Sequence, residues 1–326
     1  MPRAVAVLVM TCVFVLLGAP RFGEAQARTK TGRVGVIGVT PMAEALRAAF
    51  VQGLGQSGHA EGRDIVIDER QADGQAERLS SLAADLVRLK VDVVFARGPA
   101  ALATMKKTTG TIPIVAVDLE TDPIARGFAK NIAKPAGNVT GVFLDLPELS
   151  GKQIQLFKEI VPGVSRVAVL GDPEINSAQF RATETAARTL GVQLQMLEAR
   201  TAREVDTALE SARRGRAGAV ILLSSPIVFA ARARIAAMAV EKRLPVVSLF
   251  SEVAEVGGLM SYGPSLSEAF RRCGVSVGKI LSGARPGDLP IERPEKFELT
   301  INLRTASALG LTIPQLLQLR ADQLIQ

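Results

Sequence analysis

The sequence predicts an α/β protein of two lobes, each a parallel sheet flanked by helices. Three observations carry this reading. Short Val- and Ile-rich runs alternate with helical segments along a chain of 326 residues. Those runs are apolar at successive positions, as in strands buried on both faces, rather than at alternate ones. The pattern also occurs twice, with a Gly- and Pro-rich stretch between the two occurrences.

The first 27 residues precede this pattern. Arg3 is followed by the apolar run "AVAVLVMTCVFVLLGA" and then by "AQA" at Ala25 to Ala27. That is the layout of a signal peptide cleaved after Ala27, so the expected location is the periplasm. Cys12 lies within the apolar run in the context "LVMT", a poor one for lipid attachment. No later segment has the roughly 18 apolar residues that a membrane span needs. The formal net charge is +7, and the basic residues are interspersed with acidic ones. This favours a solvated surface over a nucleic-acid groove, and no nucleic-acid partner is expected.

From Arg33 the strand runs are "RVGVIGV", "DIVIDE", "VDVVFA" and "IPIVAV", then "SRVAVL", "VQLQMLE", "GAVILL" and "LPVVS". Between the first two, "PMAEALRAAFVQ" sets Met42, Leu46, Ala49 and Phe50 on one helical face. The following "GLGQSG", Gly53 to Gly58, fits the spacing of a phosphate-binding glycine loop. It follows a helix and precedes a strand, the reverse of what a pyrophosphate cradle needs, so it is expected to cap a helix. Further on, Leu79, Leu82, Leu86 and Leu89 form a core-facing stripe. The stretch "KPAGNVTGVFLDLPELSGK" is expected to be a crossing between lobes near Phe143, with a return at "GGLMSYGPS" and a third crossing at "RPEKFELTINL". The expected lobes are residues 28–143 plus 257–292 and residues 144–256 plus 293–326. Asn138-Val139-Thr140 matches a glycosylation triplet, which in a turn is mostly coincidence. Cys273, left alone once the leader is removed, is expected to be a buried packing residue.

The pairs Thr40-Pro41, Gly98-Pro99, Asp122-Pro123, Asp172-Pro173 and Ser225-Pro226 follow strand runs and are expected to open helices. In a parallel sheet such junctions share the carboxyl edge, where open α/β folds bind ligands. Two such edges facing one another would form a cleft lined by helix N-termini, suited to a small anion or carboxylate. Asp122, Asp172 or Glu252 could receive an ammonium group. Arg97 could fork onto a carboxylate. Phe143, Phe250 and Tyr262 could stack on a flat ligand.

Catalytic residues are scarce. His59 is the single histidine, which disfavours a Ser-His-Asp arrangement or a histidine metal site, so no metal and no cofactor are expected. Glu252 and Glu255 lack an acid/base context.

With these residues in view, the chain resembles the exported ABC-transporter substrate-binding proteins of the type 1 periplasmic-binding-protein fold, in the branch with tryptophan- and tyrosine-binding members. The likeness rests on "GHAEGRDIVIDERQADG", "LAADLVRLKVDVVFARGPAALA", "KPAGNVTGVFLDLPELSGKQIQLFKEIVPGVSRVAVL", "GGLMSYGP" and "KFELTINLRTASALGLTIP". It implies two Rossmann-like lobes hinged by three crossings, a small-molecule solute clamped between them, and handover to an inner-membrane ABC permease driven by its ATPase. Matching cleft positions are Thr40, Met42, Gly98, Asp122, Phe143, Asp172, Ser225, Phe250 and Tyr262. Two residues depart from the family pattern: His59, where an aromatic is usual, and Arg97, where a small or hydroxyl residue is usual. Arg97 stands at a strand end that faces ligand in this fold.

The expected function is therefore that of a monomeric solute receptor that closes on an amino-acid-like or carboxylate ligand. A ligand-presenting receptor for a membrane sensor is the alternative within the same class. An exported α/β hydrolase is the reading of another class. It is set aside on the expectation that the chain carries no G-x-S-x-G elbow and that His59 lies outside the cleft.

Overall fold

The computed structural model of the chain describes residues 31–143 and 149–326. The leader and its cleavage site lie outside the described residues. The first sheet takes β1 (Gly32–Gly38), β2 (Ile65–Gln71), β3 (Val93–Arg97), β4 (Ile114–Asp118) and β5 (Val139–Phe143), in the order β2-β1-β3-β4-β5. All four pairings are parallel. Between the strands come α1 (Glu44–Gln56), α2 (Leu79–Arg88) and α3 (Pro99–Thr108).

The second sheet holds β6 (Arg166–Gly171), β7 (Gln193–Glu198), β8 (Val220–Leu222), β9 (Val246–Ser248), β10 (Met260–Pro264), β11 (Phe297–Asn302) and β12 (Gln323–Ile325). Their order is β12-β11-β10-β9-β8-β6-β7, and only β10 and β11 pair antiparallel. The helices are α4 (Leu149–Ile160), α5 (Pro173–Thr189), α6 (Ala202–Arg214), α7 (Pro226–Ala230), α8 (Arg232–Glu241), α9 (Ser251–Glu255), α10 (Leu266–Leu281), α11 (Leu303–Ala308) and α12 (Gln315–Arg320).

The apolar runs of the inner strands are continuous because those strands have a core on both faces, whereas the edge strands β2 and β7 are half-exposed. Val34, Val36, Val93 and Phe95 point into the core shared with α1 and α10, whereas Ile37, Val94 and Ala96 point into the one shared with α2 and α3. The second sheet repeats this: Val167 and Val169 face the core with Phe157 and Phe180, and Ala168 and Leu170 face the core with Leu209 and Ile235. With both faces covered, period-2 polarity would place charges in a core.

Three expectations need correction. Val139–Phe143, part of the stretch expected to be a crossing rather than a packed element, is the edge strand β5, in register with β4 from Ile114↔Val139 to Asp118↔Phe143. The preceding Pro135 and Gly137 end a loop rather than break a strand. The crossing expected near Phe143 falls next to residues 144–148, outside the described residues. Met260–Pro264, expected in the first lobe, pairs with Val247 and Ser248 of β9, so the return to the first lobe comes after Pro264, where α10 begins. The glycine pattern is only partly a cap. Gly53 and Gly55 lie inside α1, and Gly58 alone takes the left-handed conformation, with φ 85°. A Cβ on Gly53 would stand 1.9 Å from the Arg271 carbonyl, and one on Gly274 2.1 Å from that of Phe50. These two glycines let α1 and α10 touch backbone to backbone.

The third crossing lies between Glu292, which bridges to Val142 at the edge of the first sheet, and Phe297 in β11. Cys273 is fully buried in α10, and burial pushes its thiol pKa up. Asn138 is buried too, with its amide donating to the Ile112 carbonyl at 2.9 Å and its oxygen accepting from Lys106. A glycan there would require that network to open.

Candidate functional site

A cavity of about 350 Å³ lies between the carboxyl ends of the two sheets. The first lobe contributes the loop after β1 (Val39 to Ala43), the end of β3 with Gly98, the segment after β4 (Leu119, Glu120), and Leu266 and Phe270 of α10. The second contributes Ser224 to Pro226 after β8, Phe229, Ala230 and Arg232 around the α7–α8 junction, and Phe250 after β9. The strand-end rule thus locates the cleft, as it does in other open α/β sheets.

Thr40, Met42, Arg97, Gly98, Ser225 and Phe250 line the cavity. Asp122, Phe143, Asp172 and Tyr262 do not. Phe143 is fully buried in the core under the first sheet. Asp122 turns its carboxylate onto the Ile124 amide at 2.8 Å. Asp172 caps α5 through the Glu174 amide and stands 4.0 Å from Arg200. Tyr262 packs against Phe297, with ring centroids 6.2 Å apart. Of the five residue-proline pairs, three open helices: Gly98, Asp172 and Ser225 are N-caps. Thr40-Pro41 lies ahead of α1, whose cap is Ala43, and Asp122-Pro123 leads into turns.

Arg97 is held in place from below. A Cβ on Gly38 would come within 2.5 Å of its Nη2, so the glycine provides the space for the guanidinium, which donates to the Thr40 carbonyl at 2.7 Å. Its Nε is buried without a partner. Burial pulls the pKa down to about 10, and Glu69 opposes this, so the group stays cationic at neutral pH. Gly98 follows with φ 84°, a conformation that strains any side-chain-bearing residue.

Sequence reasoning missed Glu120, Phe229, Arg232 and Phe270. Arg232 sits over the Phe229 ring at 4.5 Å and donates to the Phe229 carbonyl at 3.0 Å, with its Nε buried and unpartnered. Phe229 meets Phe250 edge-on at 5.7 Å. Glu120 accepts from the Ser224 hydroxyl at 2.9 Å, a direct bond between the lobes, and from the Leu119 amide. Burial, then the neighbouring Asp118 carboxylate, hold Glu120 well above the usual carboxylate range. The Ser225 hydroxyl is buried with no partner.

The lining holds one hydroxyl–carboxyl pair, Ser224 with Glu120, and no histidine stands beside it. His59 is remote from it, bonded to Asp64 and to the Gly278 carbonyl. One expectation needs correction here: Gly274-Val275-Ser276-Val277-Gly278 does fit G-x-S-x-G. It lies inside α10 with Ser276 buried, whereas a nucleophile elbow requires an exposed strand-to-helix turn. Among the described residues no group of acidic, His or Cys side chains could hold a metal, and no helix is long and apolar enough to cross a membrane.

A family model described as ABC transporter substrate binding protein matches residues 34–325. A tyrosine-binding protein of Clostridioides difficile is 24% identical over 275 residues, 83% of this chain and 78% of that one. Among solved structures, a conserved domain protein from Vibrio cholerae superposes with TM-score 0.83 at 25% identity, over 90% of this chain and all of that one. An ABC domain from Streptococcus pneumonia in complex with L-Trp gives TM-score 0.81 at 21% identity, over 91% of this chain and all of that one.

Proposed function

The chain belongs to the ABC transporter substrate-binding protein family and has the type 1 periplasmic-binding-protein fold, and from that premise we propose that it is the exported solute receptor of an ABC importer. It captures a small amino-acid-like or carboxylate solute between its lobes and hands it to an inner-membrane permease. The observation that carries this reading is the cavity: strand ends of both sheets line one space, with cationic and hydroxyl groups set among apolar walls. Pockets of this size and mixed lining suit small organic ligands. The tyrosine-binding relative and the L-Trp complex support a solute of amino-acid size. The lining does not favour a catalytic role, because its one hydroxyl–carboxyl pair, Ser224 with Glu120, bridges the two lobes and has no histidine beside it.

Isothermal titration and thermal shift of the purified protein against amino acids, organic acids, sugars and polyols test the reading. A ligand at about 100 times its Kd adds about 2.7 kcal/mol to the stability of a folded state that alone binds it. A receptor gives that shift with at least one solute, and a flat response to the whole panel counts against it. Export has its own test: expression with the leader intact, followed by fractionation and N-terminal sequencing, with cleavage after Ala27 as the expected result.

A further inference from the structure

The cavity has an excess of hydrogen-bond donors over acceptors, and the excess comes from both lobes. Arg97 belongs to the wall built by the first sheet and Arg232 to the wall built by the second. A guanidinium has five N–H donors and no acceptor. Among the described residues each of these two makes one hydrogen bond, to a backbone carbonyl, and neither forms an ion pair. Both Nε groups are buried without partners, and so is the hydroxyl of Ser225, another residue of the lining.

Acceptors are few. The one carboxyl group in the lining is that of Glu120, and its oxygens already accept from Ser224 and Leu119. Glu69, the acid that acts on Arg97, is ion-paired with Arg47 at 2.8 Å. Glu252, the acid that feels Arg232, is outside the lining. An ammonium group in this lining would meet two cations and no unengaged carboxylate, because Glu252, whose Oε2 is buried without a partner, stands outside it. A carboxylate would meet two guanidinium groups that each keep unused N–H donors, the group that binds carboxylates best.

Building on the receptor function proposed above, we propose that the ligand is an organic acid without an ammonium group. Its carboxylate is gripped by Arg97 from one lobe and Arg232 from the other, and its apolar body lies against Met42, Leu46, Phe229, Phe250 and Phe270. The grip needs both lobes, so it ties ligand binding to closure.

Matched pairs that differ only in the ammonium group test this in the wild-type protein: L-phenylalanine with 3-phenylpropionate, L-tyrosine with 3-(4-hydroxyphenyl)propionate, L-leucine with 4-methylpentanoate, and L-glutamate with glutarate. Titration calorimetry is expected to show at least one desamino acid binding about tenfold or more tightly than its amino-acid partner. Arg97→Gln and Arg232→Gln should each weaken that binding about tenfold or more while melting as cooperatively as the wild type. An amino acid that binds as well as its partner overturns the inference and leaves the receptor function standing. Failure of every desamino acid to bind also overturns it, and the receptor function then rests on the amino acids, sugars and polyols of the wider panel.

Discussion

The two walls of the cleft hold their arginines differently. Behind Arg97 the first lobe is a packed aromatic stack: Phe50 lies flat on Phe95 at 4.4 Å, and Phe270 meets Phe95 edge-on at 5.4 Å. The guanidinium rests in the gap left by Gly38, at the end of a strand with neighbours on both sides. In the second lobe the aromatic pair is itself the wall. Phe229 and Phe250 face the cavity, and Arg232 lies on Phe229 at the junction of two helices. One arginine is fixed by the sheet and the other by a side-chain stack. The first wall is thus preorganised at the backbone, and the second is the one able to adjust to different ligands.

The largest expected effect tests the rigidity behind the first wall. Phe95→Ala removes the middle ring of the stack and should cost about 3–5 kcal/mol, the range for a buried Phe. Phe180→Ala in the second lobe, where the residue is 8% exposed and no ring among the described residues pairs with it, should cost less than Phe95→Ala. Urea denaturation of both variants checks the order, and equal losses would break the comparison.

A smaller effect, on affinity, comes from the strand-end glycines. Gly38 ends β1, an inner strand of the first sheet, and Gly171 ends β6 in the second. A Cβ on Gly38 meets the flexible end of Arg97, whereas one on Gly171 meets Asn176 Oδ1 at 2.8 Å. Asn176 is structural: it accepts from the Asp172 amide and donates to the Ser224 carbonyl. Gly38→Ala should therefore weaken binding of a carboxylate ligand about tenfold, or 1.4 kcal/mol, with little change in melting. Gly171→Ala should lower the melting point while sparing affinity more. Calorimetric titration and a thermal melt on each variant separate the two.

The same contrast explains what the sequence could reveal. Runs such as Val93 to Ala96 read as parallel strands because burial on both faces removes any alternation, and that is local information. The strand-end rule then found Thr40, Arg97, Gly98, Ser225 and Phe250. It could have found Glu120, two residues past β4, had the Asp122-Pro123 pair not drawn attention past it. Arg232 had no such signal. It follows a short helix that only the fold turns back toward the cavity, and Phe270 reaches the lining because two glycines let α10 press onto α1. The β10 strand carried no mark of its sheet, since pairing with Val247 is a tertiary fact. Phe143 and Tyr262 stay out of the lining for the reverse reason: Phe143 ends its strand but turns into the core, and Tyr262 lies in the middle of β10 rather than at its end.

The smallest effect concerns the group where the walls touch. Glu120 lies beside Asp118 and holds the Ser224 hydroxyl across the cleft, with its carboxyl pKa raised by burial and by Asp118. A carboxyl whose pKa is raised on folding contributes stability that is complete below its unfolded value, about 4.3, and is lost as pH rises through the folded value. Glu120→Gln keeps an oxygen for Ser224 and cannot ionise. The variant loses an acceptor for the Leu119 amide, so it should melt at or below the wild type at pH 4 and gain on it as pH increases toward 8. Asp118, buried and also shifted upward, interacts with Glu120, so the difference between the two proteins' melting curves reports the titration of the pair. A gap that stayed constant from pH 4 to 8 would mean that Glu120 is already charged in the folded cleft. Glu120 would then offer a carboxylate to a ligand ammonium, and the contrast between two cationic walls and an acceptor-poor floor would lose its basis.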